Sequence, residues 1–394
     1  MKNNLILGIA LISMLFSCSS DDTSDIIITD NSVTNNTNGG NQTPNPETIF
    51  LSGTYTQDLI LDANNTYKIN GSLIMASGTT LEIPAGMTIK ALASGANVYI
   101  AISQGAKIIA NGSANSPIVF TSDASSPSAG DWGGIILLGK APINSVTGNA
   151  TSTSEIASLP YGGTDASDDS GILRYVRVEY SGGAADGQSE NNGFSFYGVG
   201  NGTVVEYIQA FEGKDDGVEF FGGTVNASYV SVVNAQDDSI DWTEGYTGTI
   251  TNAYVKHGAD HDKGIEADGY NTDFSNAAGF YSKPTVTNLT IIGQGSNTGN
   301  EAIRLRAGTQ GVFNNVLIEG FEEAFDLDGD AGDNPTGVGV INGDLHVSNI
   351  TFTDVTLKMK NDTAETFTES DFISGEGNGT GTDYATWGAS WTVE

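Results

Sequence analysis

The sequence predicts an all-β protein: a right-handed parallel β-helix, a solenoid of about 22 residues per coil, with a C-terminal cap. Three observations predict it. Glycine is frequent, at 51 of 394 residues, and from about residue 50 short β-rich runs alternate with Gly, Asn, Asp and Ser. No long stretch carries helical periodicity. Most tellingly, one motif recurs: DDGVEFF (Asp215 to Phe221), DDSIDWT (Asp237 to Thr243), DKGIEAD (Asp262 to Asp268), NEAIRLR (Asn300 to Arg306) and EEAFDLD (Glu322 to Asp328), with NNGFSFY (Asn191 to Tyr197) in front.

The first element is residues 1–17. Lys2 precedes the apolar run LILGIALISMLF, which is too short for a convincing membrane span and reads as a signal peptide. Leu15-Phe16-Ser17-Cys18 resembles a bacterial lipobox, which implies cleavage before Cys18 and acylation of its thiol. Cys18 is the one cysteine, so no internal disulfide forms. Acyl chains there predict a lipid-anchored protein, with the membrane reached through the anchor alone. Ser19 to Asp22 (SSDD) resemble the acidic surface-export signal of Bacteroidota lipoproteins, which implies an outer-membrane protein facing the cell exterior. Residues 18–47 are rich in Asn, Thr, Ser, Gly and Pro and form a flexible tether.

Residues 48–362 are assigned to the β-helix. Aligning the repeats on their first apolar residue gives Phe194, Val218, Ile240, Ile265, Ile303 and Phe325, at steps of 24, 22, 25, 38 and 22 residues. A second strand recurs between them, as in RYVRVEYSG, TVVEYIQAFEG and ASYVSVVNAQ. Each coil buries an apolar ladder and turns every second residue outward. Upstream, EIPAGMTIKA, GAKIIANGSANSPIVFTS and GDWGGIILLGKAPIN look like the front coils. These stretches, with the lipobox, resemble a family of right-handed β-helical surface lipoproteins of Bacteroidota; the resemblance implies fold and location and leaves activity open. Residues 363–394, with Trp387 and Trp391 four apart, are read as a cap over the last open coil.

Charge then narrows the function. Residues 1–150 hold 10 acids and 5 bases, whereas residues 151–394 hold 38 acids and 10 bases. That surface excludes nucleic acid, whose phosphates require clustered Lys and Arg, and disfavours docking on anionic lipid. Strand parity sends Ile240 and Trp242 inward and Asp241 and Thr243 outward. One outward column therefore reads Ser195, Glu219, Asp241, Glu266, Arg304, Asp326, and its neighbour Tyr197, Phe221, Thr243, Asp268, Arg306, Asp328. With coils about 4.8 Å apart these groups form an acidic stripe that calls for counter-charge from Arg304, Arg306, Lys214, Lys263 or bound cations.

Four readings of the stripe stay open. In the first, turn aspartates bond their own backbone, which accounts for the first Asp of each pair. In the second, structural Ca²⁺ stabilises an adhesive surface protein, with Asp326, Asp328, Asp330 and Asp333 around a glycine as ligands. In the third, the stripe cleaves glycans. AQDDSID resembles the paired-aspartate motif of polygalacturonase-like glycosidases, so Asp237, Asp238, Asp241 and Glu219 are candidate acids and bases, with His257 nearby and Arg304 and Arg306 to hold an acidic sugar. That reading requires a cleft with Asp237, Asp238 and a third carboxylate roughly 5–9.5 Å apart. In the fourth, which is favoured, the stripe binds an extracellular polysaccharide or an outer-membrane partner complex without chemistry. Its contacts would be Asp216, Glu219, Asp241, Glu266, Asp268, Arg304 and Arg306, with Tyr246 and Tyr270 from the turns. His257 and His261 flank Asp260 and Asp262 and could ligate a transition metal, though their spacing in a turn fixes no geometry.

Overall fold

The repeat aligned in the sequence is a hydrogen-bonded ladder in a computed structural model of the chain, which describes residues 46–185, 191–329 and 335–394. Cys18, the signal peptide, all but the last two residues of the tether, Asp330 and Asp333 lie outside the described residues. The strands Phe194–Tyr197, Val218–Phe221, Ile240–Thr243, Ile265–Asp268 and Glu301–Arg306 pair in parallel, Phe194 opposite Val218, then Ile240, Ile265, Ile303 and Phe325. The same ladder runs back through Ile135 and Ile100 to Leu73. Among the described residues, 23 strands join one sheet wound into a parallel β-helix, right-handed as parallel crossovers are. Trp242, Phe220, Phe196 and Leu305 point into the core and are fully buried.

Each coil has two further strand faces, divided by a sharp bend. The bend residues Tyr175, Tyr207, Tyr229, Asn252, Asn288, Asn315 and Asn349 all adopt left-handed φ between 50° and 60°. Asparagine tolerates that conformation because its short amide bonds locally. Here the amides bond along the stack: Asn315 Nδ2 donates to Asn288 Oδ1 (2.8 Å), and Asn288 Nδ2 donates to Asn252 Oδ1 (2.9 Å). Higher up, Tyr175, Tyr207 and Tyr229 stack at 4.3 and 4.1 Å.

The C-terminal segment differs from the expected cap. Only its first part closes the end, where Phe372 packs edge-on to Phe325 at 5.1 Å. The remainder runs back along the bend column as a strap. Tyr384 stacks on Tyr254 (3.8 Å), Trp387 meets Tyr229 (5.6 Å) and Trp391 meets Tyr175 (5.5 Å) edge-on. Trp387 and Trp391 therefore cover an aromatic flank rather than an open strand edge. The bend turns those tyrosines outward, and their apolar area needs covering.

Candidate ligand-binding cleft

The two outward columns of the Phe194–Phe325 ladder do not form a uniform solvent face. Above the acidic rungs they continue as Ala101, Ile136 and Leu138, beside Tyr197 and Phe221. A long excursion after Leu138 folds over them, and its Ile143, Ile156 and Tyr161 build a second small core there. Tyr197 and Phe221 stack at 3.9 Å under this cover. The expectation that these positions face solvent is corrected: apolar rungs acquired a lid of chain because exposed, they would form a large hydrophobic patch.

Where the cover ends a cleft of about 360 Å³ opens, lined by Glu155, Asn192, Asp215, Asp216, Glu219, Asp237, Asp238, Asp241, Asp262, Lys263, Glu266, Arg304 and Arg306. Nine carboxylates thus meet three cations. Carboxylate oxygens of Asp216, Glu219 and Asp241 lie within 4.8 Å of one another, as do those of Asp238, Asp241 and Glu266. Strand register explains the spacing: Glu219, Asp241 and Glu266 occupy one position on consecutive rungs. Burial and mutual repulsion push Asp216, Glu219, Asp238 and Asp241 well above the ordinary carboxylate range. For Asp241 the repelling neighbours are Glu219, Glu266, Asp238 and Asp268.

Several of these groups also hold the fold. Asp238 N–H donates to Asp216 Oδ1 (3.0 Å), and Lys263 N–H donates to Asp238 Oδ1 (2.7 Å). The second aspartate of each pair thus bonds the backbone of the next coil and ties one corner to the next. Asn192 Nδ2 donates to Glu219 Oε2 at 2.6 Å. The cations close the other end. Arg306 grips Asp268 with Nε (2.6 Å) and Nη2 (3.2 Å) and also pairs with Glu266. Arg304 Nε donates to Asp328 at 3.1 Å, and Lys263 pairs with Asp262 and Glu266. Lys214 does not line the cleft; its stem packs over Gly130.

The candidates divide accordingly. The cleft gathers Asp216, Glu219, Asp237, Asp238, Asp241, Glu266, Arg304 and Arg306, with Asp268 behind Arg306. It excludes three others. Tyr246 is corrected from a turn contact to a core residue: it is fully buried, stacks on Phe220 at 4.4 Å and donates its hydroxyl to Val225 O. Tyr270 stands apart, beside Tyr281 at 6.3 Å. His257 is buried between His261 and Phe321 and does not line the cleft. Asp328 pairs with Arg304, and carboxylate oxygens of Asp326 lie near those of Glu301 and Glu323; the other two expected calcium ligands, Asp330 and Asp333, lie outside the described residues.

Two lining residues, Asn192 and Glu155, were not singled out in the sequence, whereas Lys263 was named there as counter-charge. Asn192 and Lys263 fall two positions before the aligned apolar residue, in the column Asn192, Asp216, Asp238, Lys263, Glu301, Glu323, which the repeat alignment contains. Glu155 comes from the covering excursion, which belongs to no repeat, so alignment carries no signal for it.

The sequence profile of the pectate-lyase-like β-helix domain family matches residues 53–392. The chain belongs to that family. Two solved structures are similar at low identity. The catalytic domain of a GH87 α-1,3-glucanase in complex with nigerose is 13% identical with a TM-score of 0.35, over 86% of this chain and 70% of that one. The Dettilon tailspike protein is 10% identical with a TM-score of 0.31, over 75% of this chain and 56% of that one. This chain thus spans little more than half of the tailspike chain. No curated protein matches it in sequence.

Proposed function

We propose that the chain is a lipid-anchored β-helix protein on the outside of the outer membrane, and that its acidic cleft binds an extended extracellular polysaccharide together with calcium. The observation that carries this is the charge of the cleft, nine carboxylates against three cations in one depression. The donor set fits calcium: hard oxygens from Asp216, Glu219 and Asp241, or from Asp238, Asp241 and Glu266, approach within 4.8 Å. Bound there, the ion would supply positive charge to sugar hydroxyls or carboxylates. Arg304 and Arg306 at the end of the cleft favour an acidic sugar. The lipobox at Leu15 to Cys18 and the SSDD that follows support the anchor and the exterior location. Among the described residues no helix is long and apolar enough to cross a membrane.

A second reading, cleavage, is favoured by one observation. Glu219 and Glu266 stand two rungs apart, about 9–10 Å, at the upper end of the separation inverting glycosidases use. Adjacent carboxylates bring oxygens within 4.8 Å of one another, which favours a cation. The test is polysaccharide binding by the full chain on a glycan array, with calcium or with EDTA. Binding should fall at least about tenfold in EDTA and in Asp241→Asn. Binding that survives both removes the cleft from the reading, binding to an outer-membrane protein complex in its place gives the ligand as protein, and product release abolished by Asp238→Asn makes the protein an enzyme.

A further inference from the structure

We propose a second divalent-cation site, separate from the cleft, made by Glu301, Glu323 and Asp326. Carboxylate oxygens of these three lie within 4.8 Å of one another. None of the three lines the cleft. The site arises from the repeat itself. Glu301 and Glu323 face each other on adjacent strands, and Asp326 opposes Arg304. It is the corner-and-stripe arrangement of the cleft, repeated beyond the interruption that Lys263 and Arg304 impose.

An acidic cluster is common without an ion, and a second observation points to one here. Asp326 is 3% exposed, yet its Oδ1 has no hydrogen-bond partner, and the buried Oε2 of Glu323 has none either. Two buried carboxylate oxygens without donors are costly unless something positive reaches them. The neighbouring cations do so only in part: Lys360 pairs with Glu323 Oε2 and Asp326 Oδ2, and Asp326 Oδ1 is left without a partner. Arg304 is committed to Asp328. Lys360 Nζ stands 3.6 Å from Asp326 Oδ2 and 3.8 Å from Glu323 Oε2, beyond hydrogen-bond range, and sits nearest Asp362 at 3.1 Å. One ammonium thus faces three carboxylates, with Glu301 beside two of them. A hard divalent ion, calcium by the all-oxygen donor set, completes the charge and takes up the orphaned Asp326 Oδ1. The ion would clamp the strand Glu301–Arg306 to the next coil and so fix the backbone that carries Arg304 and Arg306 toward the cleft.

The experiment is calorimetric titration of calcium chloride into the chelator-treated full chain, with Asp326→Asn, Glu301→Gln and the cleft variant Asp241→Asn beside it. Asp326→Asn should lose one bound calcium per chain, and Asp241→Asn should keep that ion. Glu301 is only partly buried and its glutamine is isosteric, so Glu301→Gln stands in should Asp326→Asn misfold, and should weaken the same ion at least tenfold. In the wild type, calcium at a hundred times its dissociation constant should raise the melting temperature by about 4 °C. Unchanged stoichiometry and affinity in both Asp326→Asn and Glu301→Gln would overturn the proposal. So would loss of all calcium in Asp241→Asn alone, which would assign every ion to the cleft.

Discussion

Acidification should destabilise this protein through His257, a residue with no part in the cleft. His257 is 2% exposed, and its ring lies 4.2 Å from the His261 ring and 5.3 Å from Phe321. The titratable side chains beside it are His261 and Asp262. Burial first, then repulsion from His261, pushes its pKa down from 6.5 to about 3. The folded-state value is the lower one, so the unfolded chain takes up the proton more readily. The associated stability is fully present above about pH 6.5, falls as the pH drops below that, and is gone at about pH 3. At pH 5 the ring has lost about 1.5 units' worth, or about 2 kcal/mol; near pH 3 the loss reaches about 5 kcal/mol. His257→Phe keeps an aromatic ring in the same stack and removes the proton site. Urea unfolding of both proteins at pH 7.5 and pH 5 measures the effect, and subtracting one from the other cancels the titration of every acid they share. The stability difference should move by about 2 kcal/mol in favour of the variant at pH 5. A difference that stays constant within about 0.5 kcal/mol would refute the argument.

Two further outcomes follow from packing. Trp391 is 1% exposed and holds the strap against Tyr175 and Tyr207, so Trp391→Ala should cost about 3–5 kcal/mol and release amide protection from the strap inward. Hydrogen exchange that leaves residues 384–394 as protected as before would show that the strap is held elsewhere. Gly134 has φ +150°, and a Cβ there would sit 2.0 Å from the carbonyl oxygen of Asn192. Gly134→Ala should therefore push the coil that carries Ile135–Leu138 away from the one that carries Asn192, with a loss above about 3 kcal/mol in chemical unfolding.

The repeat made most of the fold legible. Phe194, Val218, Ile240, Ile265, Ile303 and Phe325 could be aligned by eye because a solenoid reuses one local solution, and each rung demands an apolar residue at the same place. Parity then sent Trp242 inward and Asp241 outward, as the ladder has them. Parity could not say what lies over the outward positions. The place of Tyr246 in a turn suggested a surface contact, whereas the residue is buried in the core and bonds Val225 O. The strap likewise read as a plain cap, since nothing local in TDYATWGASWTVE records a tyrosine stack some 200 residues earlier in the chain.

The sequence by itself determined the coil, its period, the inward ladder and the acidic character of one outer column, because each of these depends on residue type at a fixed interval. Only the tertiary structure decided where that column becomes a cleft. An excursion outside the repeat covers the apolar rungs and stops at the acidic ones, and it brings Glu155 to their edge. The same holds for partners among the charges: Asp328 goes to Arg304 while Asp326 joins Glu301 and Glu323. Those choices depend on a few ångströms between side chains from different coils, a distance that spacing along the chain does not encode.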